Sequence, residues 1–319
     1  MRAAVVRDFD QGPVYDAFEL PPVADGVALD VLAAALSPRV RSGASGAHYT
    51  SKGVLPLVPG IDGVGRLADG RRVYFLAASD VAGTMAERTW ADPRLTVALP
   101  DGVAASAIAA GLLPAISSWV ALTRRAPIQP GQRVLVLGAT GTAGQLAVQI
   151  AKRLGAGEIV AVGRDADALA RTRAFGAAHV VRLTGTRADA DAVAQVASEV
   201  DIVLDYLWGD VTSAVLPALC RHRADESRAL RWVLIGSVAG DEIALSSVLL
   251  RKRNLHVLGS GQGASTTREM FSVAPHIVTA FAAGQLDVAV REVPLADVAT
   301  WWSAPARGGE RLVFVPSLR

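Results

Sequence analysis

Three glycines at intervals of three, Gly138, Gly141 and Gly144, stand between a short apolar run and an apolar-periodic segment. The run at residues 134–137 reads as a buried strand. Leu146, Ala147, Ile150, Ala151 and Leu154 then fall on one helical face. Strand, glycine turn and helix in that order make a cradle for the pyrophosphate of a dinucleotide. Gly138 permits the tight turn, Gly141 lets the backbone approach the pyrophosphate, and Gly144 lets the helix pack closely on the strand. The helix N-terminus offers N–H groups and the positive end of its dipole. Thr140, Thr142 and Ala143, which lie in the same turn, join the glycines as candidate cofactor contacts.

The end of the next strand sharpens the reading. Residues 158–162 read as that strand, and Gly163, Arg164 and Asp165 follow. An NAD site places an acidic residue about 20 positions on, to hold the ribose 2′-hydroxyl, whereas an NADP site has an arginine nearby. Arg164 lies 20 residues after Gly144, and its planar, permanently charged guanidinium suits a 2′-phosphate. Arg182, at the end of the third strand, is a second candidate. Asp165 reads as the cap of a helix over residues 166–175. The expected cofactor is NADP(H), with NADPH preferred over NADH.

Such a turn needs a parallel sheet to hold it. From about residue 104, helical segments alternate with short apolar strands at 134–137, 159–162, 179–181, 202–204, 232–235 and 255–258. Six strands separated by helices imply right-handed crossovers and a doubly wound parallel sheet, an α/β class. Ligands of such sheets bind beyond the carboxyl ends of the strands. That brings residues 138–144, Gly163 and Arg164, Asp205 and Tyr206, Gly236 and Ser237, and residues 259–263 around one crevice. The first hundred residues differ in style. Short apolar runs at 3–7, 27–35, 64–67, 72–76 and 95–99, bounded by Gly, Pro, Asp and Ser, predict an antiparallel or barrel-like domain. The last forty or so residues predict a helix ending near Gly284, a strand over 287–293, a helix over 295–304 and a strand over 311–315, packing back on the first domain.

Composition narrows the function classes. The chain has 319 residues, half of them apolar, and a net charge of +2, which argues against nucleic acid as a partner. Cys220 is the only cysteine, so neither an intramolecular disulfide nor a cysteine zinc motif is available. The apolar part of the N-terminus is too short for a signal peptide, and a cytoplasmic location is expected. Residues 103–123 carry no charge and are long enough to span a bilayer. Pro114, Gly111, Ser106, Ser117 and Ser118 interrupt them, so two buried helices are expected rather than a membrane span.

The chain as a whole resembles a medium-chain dehydrogenase/reductase of the zinc-free, quinone-oxidoreductase-like branch (zeta-crystallin-like). The opening Met1-Arg-Ala-Ala-Val-Val-Arg-Asp-Phe9 is similar to the family's first strand, and Val58-Pro-Gly-Ile-Asp-Gly-Val-Gly65 to its first glycine-rich turn. Ala98-Leu-Pro-Asp-Gly-Val103 and Ser117-Ser-Trp-Val-Ala-Leu122 match the run into the cofactor domain. Residues 131–152, Asp201-Ile-Val-Leu-Asp-Tyr206 and Arg231-Trp-Val-Leu-Ile-Gly236 match the cofactor domain itself. The resemblance implies a GroES-like β-barrel domain over residues 1–108, completed by 272–319, and a Rossmann domain over 109–271, in homodimers that pair through the edge strand 255–258. It implies that Ser117 lies near the nicotinamide ribose, and that Ser237, Gly259 and Ser260 lie near the nicotinamide.

Departures from the zinc-dependent alcohol dehydrogenases are informative. Ser37 stands where their first cysteine would be, Ile61-Asp62 where the His-Glu pair would be, and no cysteine or histidine occurs in residues 103–123. Asp62 and His48 alone make a poor zinc site, so no metal is expected. The nicotinamide carries the hydride chemistry, and negative charge developing on a substrate oxygen needs donors. In relatives, the loop holding Ser37, His48 and Tyr49 lines the substrate cleft, so these three are the catalytic candidates. Tyr49 could donate a proton or stack on a quinone ring, and Arg39 and Arg41 could attract an anionic substrate. The expected function is an NADPH-dependent, zinc-independent reductase of a small quinone, enone or other carbonyl compound. The alternative is a non-catalytic NADPH-binding redox sensor or interaction protein.

Overall fold

The computed structural model describes residues 1–305 and 308–318. The chain forms two compact units, Met1–Leu113 with Ala274–Arg319, and Pro114–Val273.

In the first unit β1 (Arg2–Val5) pairs antiparallel with β2 (Val14–Ala17). Strands β3 (Val27–Ala35), β4 (Asp62–Leu67), β5 (Arg72–Ala77) and β6 (Arg88–Ala98) form an antiparallel meander, and β3 also pairs with β6, which closes the barrel. Asp69-Gly70 makes the turn between β4 and β5, with Gly70 at φ 89° where a glycine is favoured. The returning strands Val290–Pro294 and Arg311–Val315 pair with each other, and the second joins β3. Leu29, Val31, Phe75, Met85 and Phe314 fill the interior. The segment after β3, which holds Ser37, His48 and Tyr49, reads as a loop. Its first part instead forms the helix α1 (Pro38–Ala44), with proline at the first turn where no N–H is missed.

The apolar stretch forms one helix, α2 (Ala105–Val120), prolonged by a π turn over Ala121–Arg125, rather than the two expected. Pro114 sits within α2, and the Ser117 and Ser118 hydroxyls donate to its carbonyl. Among the described residues this is the one helix long and apolar enough to cross a membrane. Its most apolar window is 67% buried within the protein, as in a core helix.

The second unit is the doubly wound sheet. Strands β7 (Arg133–Leu137), β8 (Glu158–Gly163), β9 (His179–Arg182), β10 (Ile202–Asp205), β11 (Leu230–Leu234) and β12 (Leu255–Gly259) are all parallel, in the order β12-β11-β10-β7-β8-β9. The helices α3 (Thr142–Arg153), α4 (Ala166–Ala174), α5 (Ala188–Ala197), α6 (Gly209–His222) and α7 (Ser247–Lys252) connect them. The winding reverses between β7 and β10, where Leu137 stands opposite Asp205, and this switch point is where such sheets take their ligands. Leu135, Leu137, Val160, Val203 and Trp232 are buried on one face of the sheet and Val134, Val136, Ile159, Ile202 and Leu204 on the other, as continuous apolar parallel strands require.

Candidate cofactor site and acceptor segment

The glycine turn is built from backbone. Gly138 has φ +90°, and its N–H and that of Ala139 both donate to the Val162 carbonyl, at 2.9 and 2.8 Å. A Cβ on Gly144 would lie 2.2 Å from the Gly138 carbonyl oxygen, so close packing of α3 on β7 demands glycine there. A Cβ on Gly163 would lie 2.4 Å from Thr140 Cγ2. Gly141 is different. It caps α3 with an ordinary φ of −79°, and the nearest atom to its would-be Cβ is 3.8 Å away. Nothing inside the protein requires glycine at 141, whereas a ligand pressed against the backbone would. Thr142 and Ala143 open the helix beyond it.

At the end of β8, Asp165 is committed to the fold. Its carboxylate accepts the Ala168 N–H at 2.9 Å and caps α4. Arg164 is exposed beside it. Gly163 pairs with Arg182 across β8 and β9, and Arg182 Nε donates to the Arg164 carbonyl at 3.2 Å. The structure thus brings both candidate arginines to one rim. Neither is in an ion pair among the described residues, so two cations stand there with no carboxylate opposed.

The end of β10 is organised by a residue that the sequence did not single out as a contact. The buried Asp205 carboxylate accepts from the Leu207 and Trp208 N–H groups through Oδ1, at 2.8 and 3.0 Å. Through Oδ2 it accepts from the Thr212 hydroxyl and Trp232 Nε1, at 2.5 and 2.8 Å. Its main-chain carbonyl takes the Ile235 and Gly236 N–H groups, at 2.8 and 3.1 Å. These bonds sustain a rare backbone at Trp208, φ 54°. Tyr206, next in sequence, is buried, with its hydroxyl 2.7 Å from that of Ser118. Burial pushes the Tyr206 phenol up to about 12, against the lowering effect of the Ser118 and Ser117 hydroxyls. Ser237 donates to Asp241 at 2.7 Å. The Ser260 N–H bonds to the Leu234 carbonyl at 2.8 Å, and Arg125 Nε to the Gly259 carbonyl at 2.8 Å. The glycine turn, Arg164, Tyr206, Gly236, Ser237, Gly259 and Ser260 therefore all follow the carboxyl ends of strands in one sheet.

In the first unit, Ser37 caps α1 by accepting the Val40 N–H at 3.1 Å. His48 and Tyr49 stack with ring centroids 4.3 Å apart, and Tyr49 is 73% exposed. His48 Nδ1 lies 2.9 Å from the Thr50 hydroxyl, which also receives Arg39 Nη2. Burial, then the Arg39 charge, push the His48 imidazole below its usual range. Arg41 faces the other way and donates to the Ala304 carbonyl at 2.8 Å. Asp62 is buried and accepts from the Tyr74 hydroxyl at 3.1 Å. Burial raises its carboxyl to about 7, against the pull of Tyr74 and of the buried Arg311. Among the described residues no group of three His, Cys, Asp or Glu side chains is arranged to hold a metal.

Comparison with known proteins shows what the chain is similar to. A family profile described as "Zinc-binding dehydrogenase" matches residues 143–277. A probable NADPH-dependent quinone reductase, tdiC, of Emericella nidulans is 29% identical over 336 residues, covering 93% of this chain and 94% of that one. A probable oxidoreductase from Mycobacterium abscessus superposes with a TM-score of 0.80 at 25% identity, over 99% of each chain. The quinone oxidoreductase of Thermus thermophilus, solved also with NADPH, shares the fold at a TM-score of 0.77 and 24% identity, over 99% of this chain and 100% of that one.

The chain is similar over nearly its whole length to a probable quinone reductase, and its cofactor unit to zinc-binding dehydrogenases.

The GroES-like barrel and the Rossmann sheet are both present as expected. Two parts of the site escaped the sequence. The Asp205 network joins residues 205, 212 and 232, each unremarkable alone. The contact between Arg39, Thr50 and His48 depends on α1, which the small residues at 42–47 concealed.

Proposed function

We propose that this protein is an NADPH-dependent oxidoreductase that delivers hydride to a quinone, an enone or another small carbonyl acceptor without zinc. The observation that carries the reading is the pairing of Gly141, beside which the fold leaves room for a close ligand, with two unopposed arginines at the adjacent strand ends. The donor set fits NADPH. Residues 138–144 would hold the pyrophosphate, Arg164 and Arg182 the 2′-phosphate, and Ser117, Tyr206, Gly236, Ser237, Gly259 and Ser260 the nicotinamide end. NADPH supplies the hydride when bound. The names of the relatives support the same cofactor and acceptor class. Zinc independence is supported by the fate of the positions that would carry ligands. Ser37 is a helix cap and Asp62 is sealed against Tyr74 and Arg311. We further infer a cytoplasmic homodimer that pairs along β12, the exposed edge of the sheet.

The test is NADPH oxidation by the purified protein over quinones, enones and aldehydes, with and without a chelator. Saturable turnover that the chelator leaves unchanged is expected. Loss of turnover with chelator would overturn zinc independence. Tight NADPH binding without turnover on any acceptor would replace the enzyme by a redox sensor.

A further inference from the structure

The last residue of β8 faces the glycine turn. A Cβ at 163 would lie 2.4 Å from Thr140 Cγ2, 2.8 Å from its Oγ1 and 3.1 Å from its Cβ. An NAD site holds the ribose 2′-hydroxyl with an acidic side chain about 20 positions after the turn. Asp165 is not that residue, since its carboxylate turns to the Ala168 N–H. A side chain at 163 would point at the turn, and Thr140 stands in its way. Gly163 is no glycine for the sake of its own backbone. It closes β8 with a φ outside the left-handed region, which other residues adopt freely.

Neither partner has room to give way. The Val162 carbonyl takes the Gly138 and Ala139 N–H groups, and the Gly163 carbonyl takes the Leu183 N–H at 2.8 Å. The Thr140 carbonyl takes Gln145 Nε2 at 3.1 Å, and a β-branched side chain has few rotamers to retreat into. The Thr140 hydroxyl is left over. Thr140 is half-buried, and its hydroxyl makes no hydrogen bond among the described residues. It stands in the notch beside Gly163, next to Arg164, whose carbonyl takes Arg182 Nε at 3.2 Å. A hydroxyl donates to an anionic phosphate oxygen, where a carboxylate in the same place would repel it.

We propose that Thr140 is a specificity-determining residue for a 2′-phosphorylated adenosine ribose. Its side chain fills the place of the acid that would select a free 2′-hydroxyl, and its hydroxyl donates to the phosphate that faces Arg164 and Arg182. This rests on the reading above, in which the glycine turn holds NADPH, and every residue it invokes lies in the second unit. Thr140 and Gly163 act as a pair. With threonine at 140, position 163 is closed to any side chain. With a smaller residue at 140, it opens to an aspartate.

The experiment reads binding and melting, not turnover. Calorimetry is run with NADPH, NADH and two fragments without nicotinamide, 2′,5′-ADP and 5′-AMP. Thr140→Val keeps the shape that fills the notch and loses the hydroxyl. It is expected to weaken NADPH and 2′,5′-ADP about tenfold and to leave NADH and 5′-AMP within about twofold, and Thr140→Ser to restore the loss. Gly163→Asp is expected to lower the melting temperature by about 5 °C or more. Adding Thr140→Ala to it is expected to recover most of that drop and to bind NADH at least about tenfold more tightly than the wild type does. The proposal is overturned by 2′,5′-ADP binding that Thr140→Val leaves unchanged, by Gly163→Asp melting with the wild type, or by a double variant no more stable than Gly163→Asp. Absence of NADPH binding in the wild type removes the reading beneath it, whereas tight NADPH binding with any of those three results removes the proposal alone.

Discussion

At the carboxyl ends of the parallel sheet, the candidate contacts are backbone groups and glycines fixed by strands. In the segment from Ser37 to Thr50, they are side chains held by a short helix and a few hydrogen bonds. The first site is set by what cannot fit: a Cβ at 144 or 163 would collide with its neighbours. The second is set by what donates to what. The difference teaches where substitution should act. A change at a packing glycine of the first site alters the fold before it alters binding, and a change in the second alters local hydrogen bonding before it alters the fold.

Predictions that press on this contrast can be ranked by size. Gly144→Ala drives its Cβ into the Gly138 carbonyl and should cost roughly 3 kcal/mol or more, enough to leave little folded protein. Gly141→Ala, three residues away, should melt within about 2 °C of the wild type yet bind NADPH at least about tenfold more weakly. Equal melting of the two variants would erase the distinction between a packing glycine and a ligand glycine.

Asp205→Asn is next. Each carboxylate oxygen takes two donors, so the amide nitrogen faces two of the four, and the change should destabilise by about 2–3 kcal/mol. Because Trp232 Nε1 is among those donors, the indole emission should shift with the substitution. An unchanged melting curve would show that the strand end does not depend on this carboxylate.

The barrel supplies a pH test. The Asp62 carboxyl is raised by burial from 3.8 to about 7. The folded state therefore binds the proton more tightly than the unfolded chain. Stability from this group is complete below the unfolded value and is lost as pH rises toward the folded one. Denaturant titrations of the wild type and Asp62→Asn should diverge by roughly 2 kcal/mol between about pH 5 and pH 7, with the wild type weakening. Parallel curves would remove the raised carboxyl from the account.

The smallest expected effect is at the arginine rim. Arg164→Ala with Arg182→Ala should weaken NADPH at least about tenfold and NADH by less than about twofold, the loss of both cations that face the 2′-phosphate. Equal losses for the two cofactors would move the 2′-phosphate elsewhere.

Legibility in the sequence followed the kind of force at work. All six strands of the parallel sheet are apolar runs between helices, and each was found where it was expected, to within a residue or two. The barrel was harder. β2 is a half-exposed Val-Tyr-Asp-Ala without an apolar run, and β6 begins at Arg88 and passes through Pro93, a residue that argues against a strand. Pro114 suggested a break in a helix that runs on. The tail helix expected over 295–304 is a 3-10 turn, Leu295–Asp297, and a short helix, Val298–Trp301. The cofactor contacts could be proposed from glycine spacing, because backbone needs leave a mark at fixed offsets. The side-chain networks could not, because Asp205 meets Trp232 27 residues away and Arg39 meets Thr50 only through a folded turn.

Asp205 also bears on how this sequence can change over generations. Its donors come from three places: the turn after β10, α6 and β11. Exchanging Thr212 or Trp232 forfeits one bond and leaves the others standing, so these positions can wander one at a time. Exchanging the acid for an apolar side chain strands every donor at once. The strand end is thus a one-way ratchet for mutation, in which partners are open to drift and the centre is closed to it until several changes arrive together.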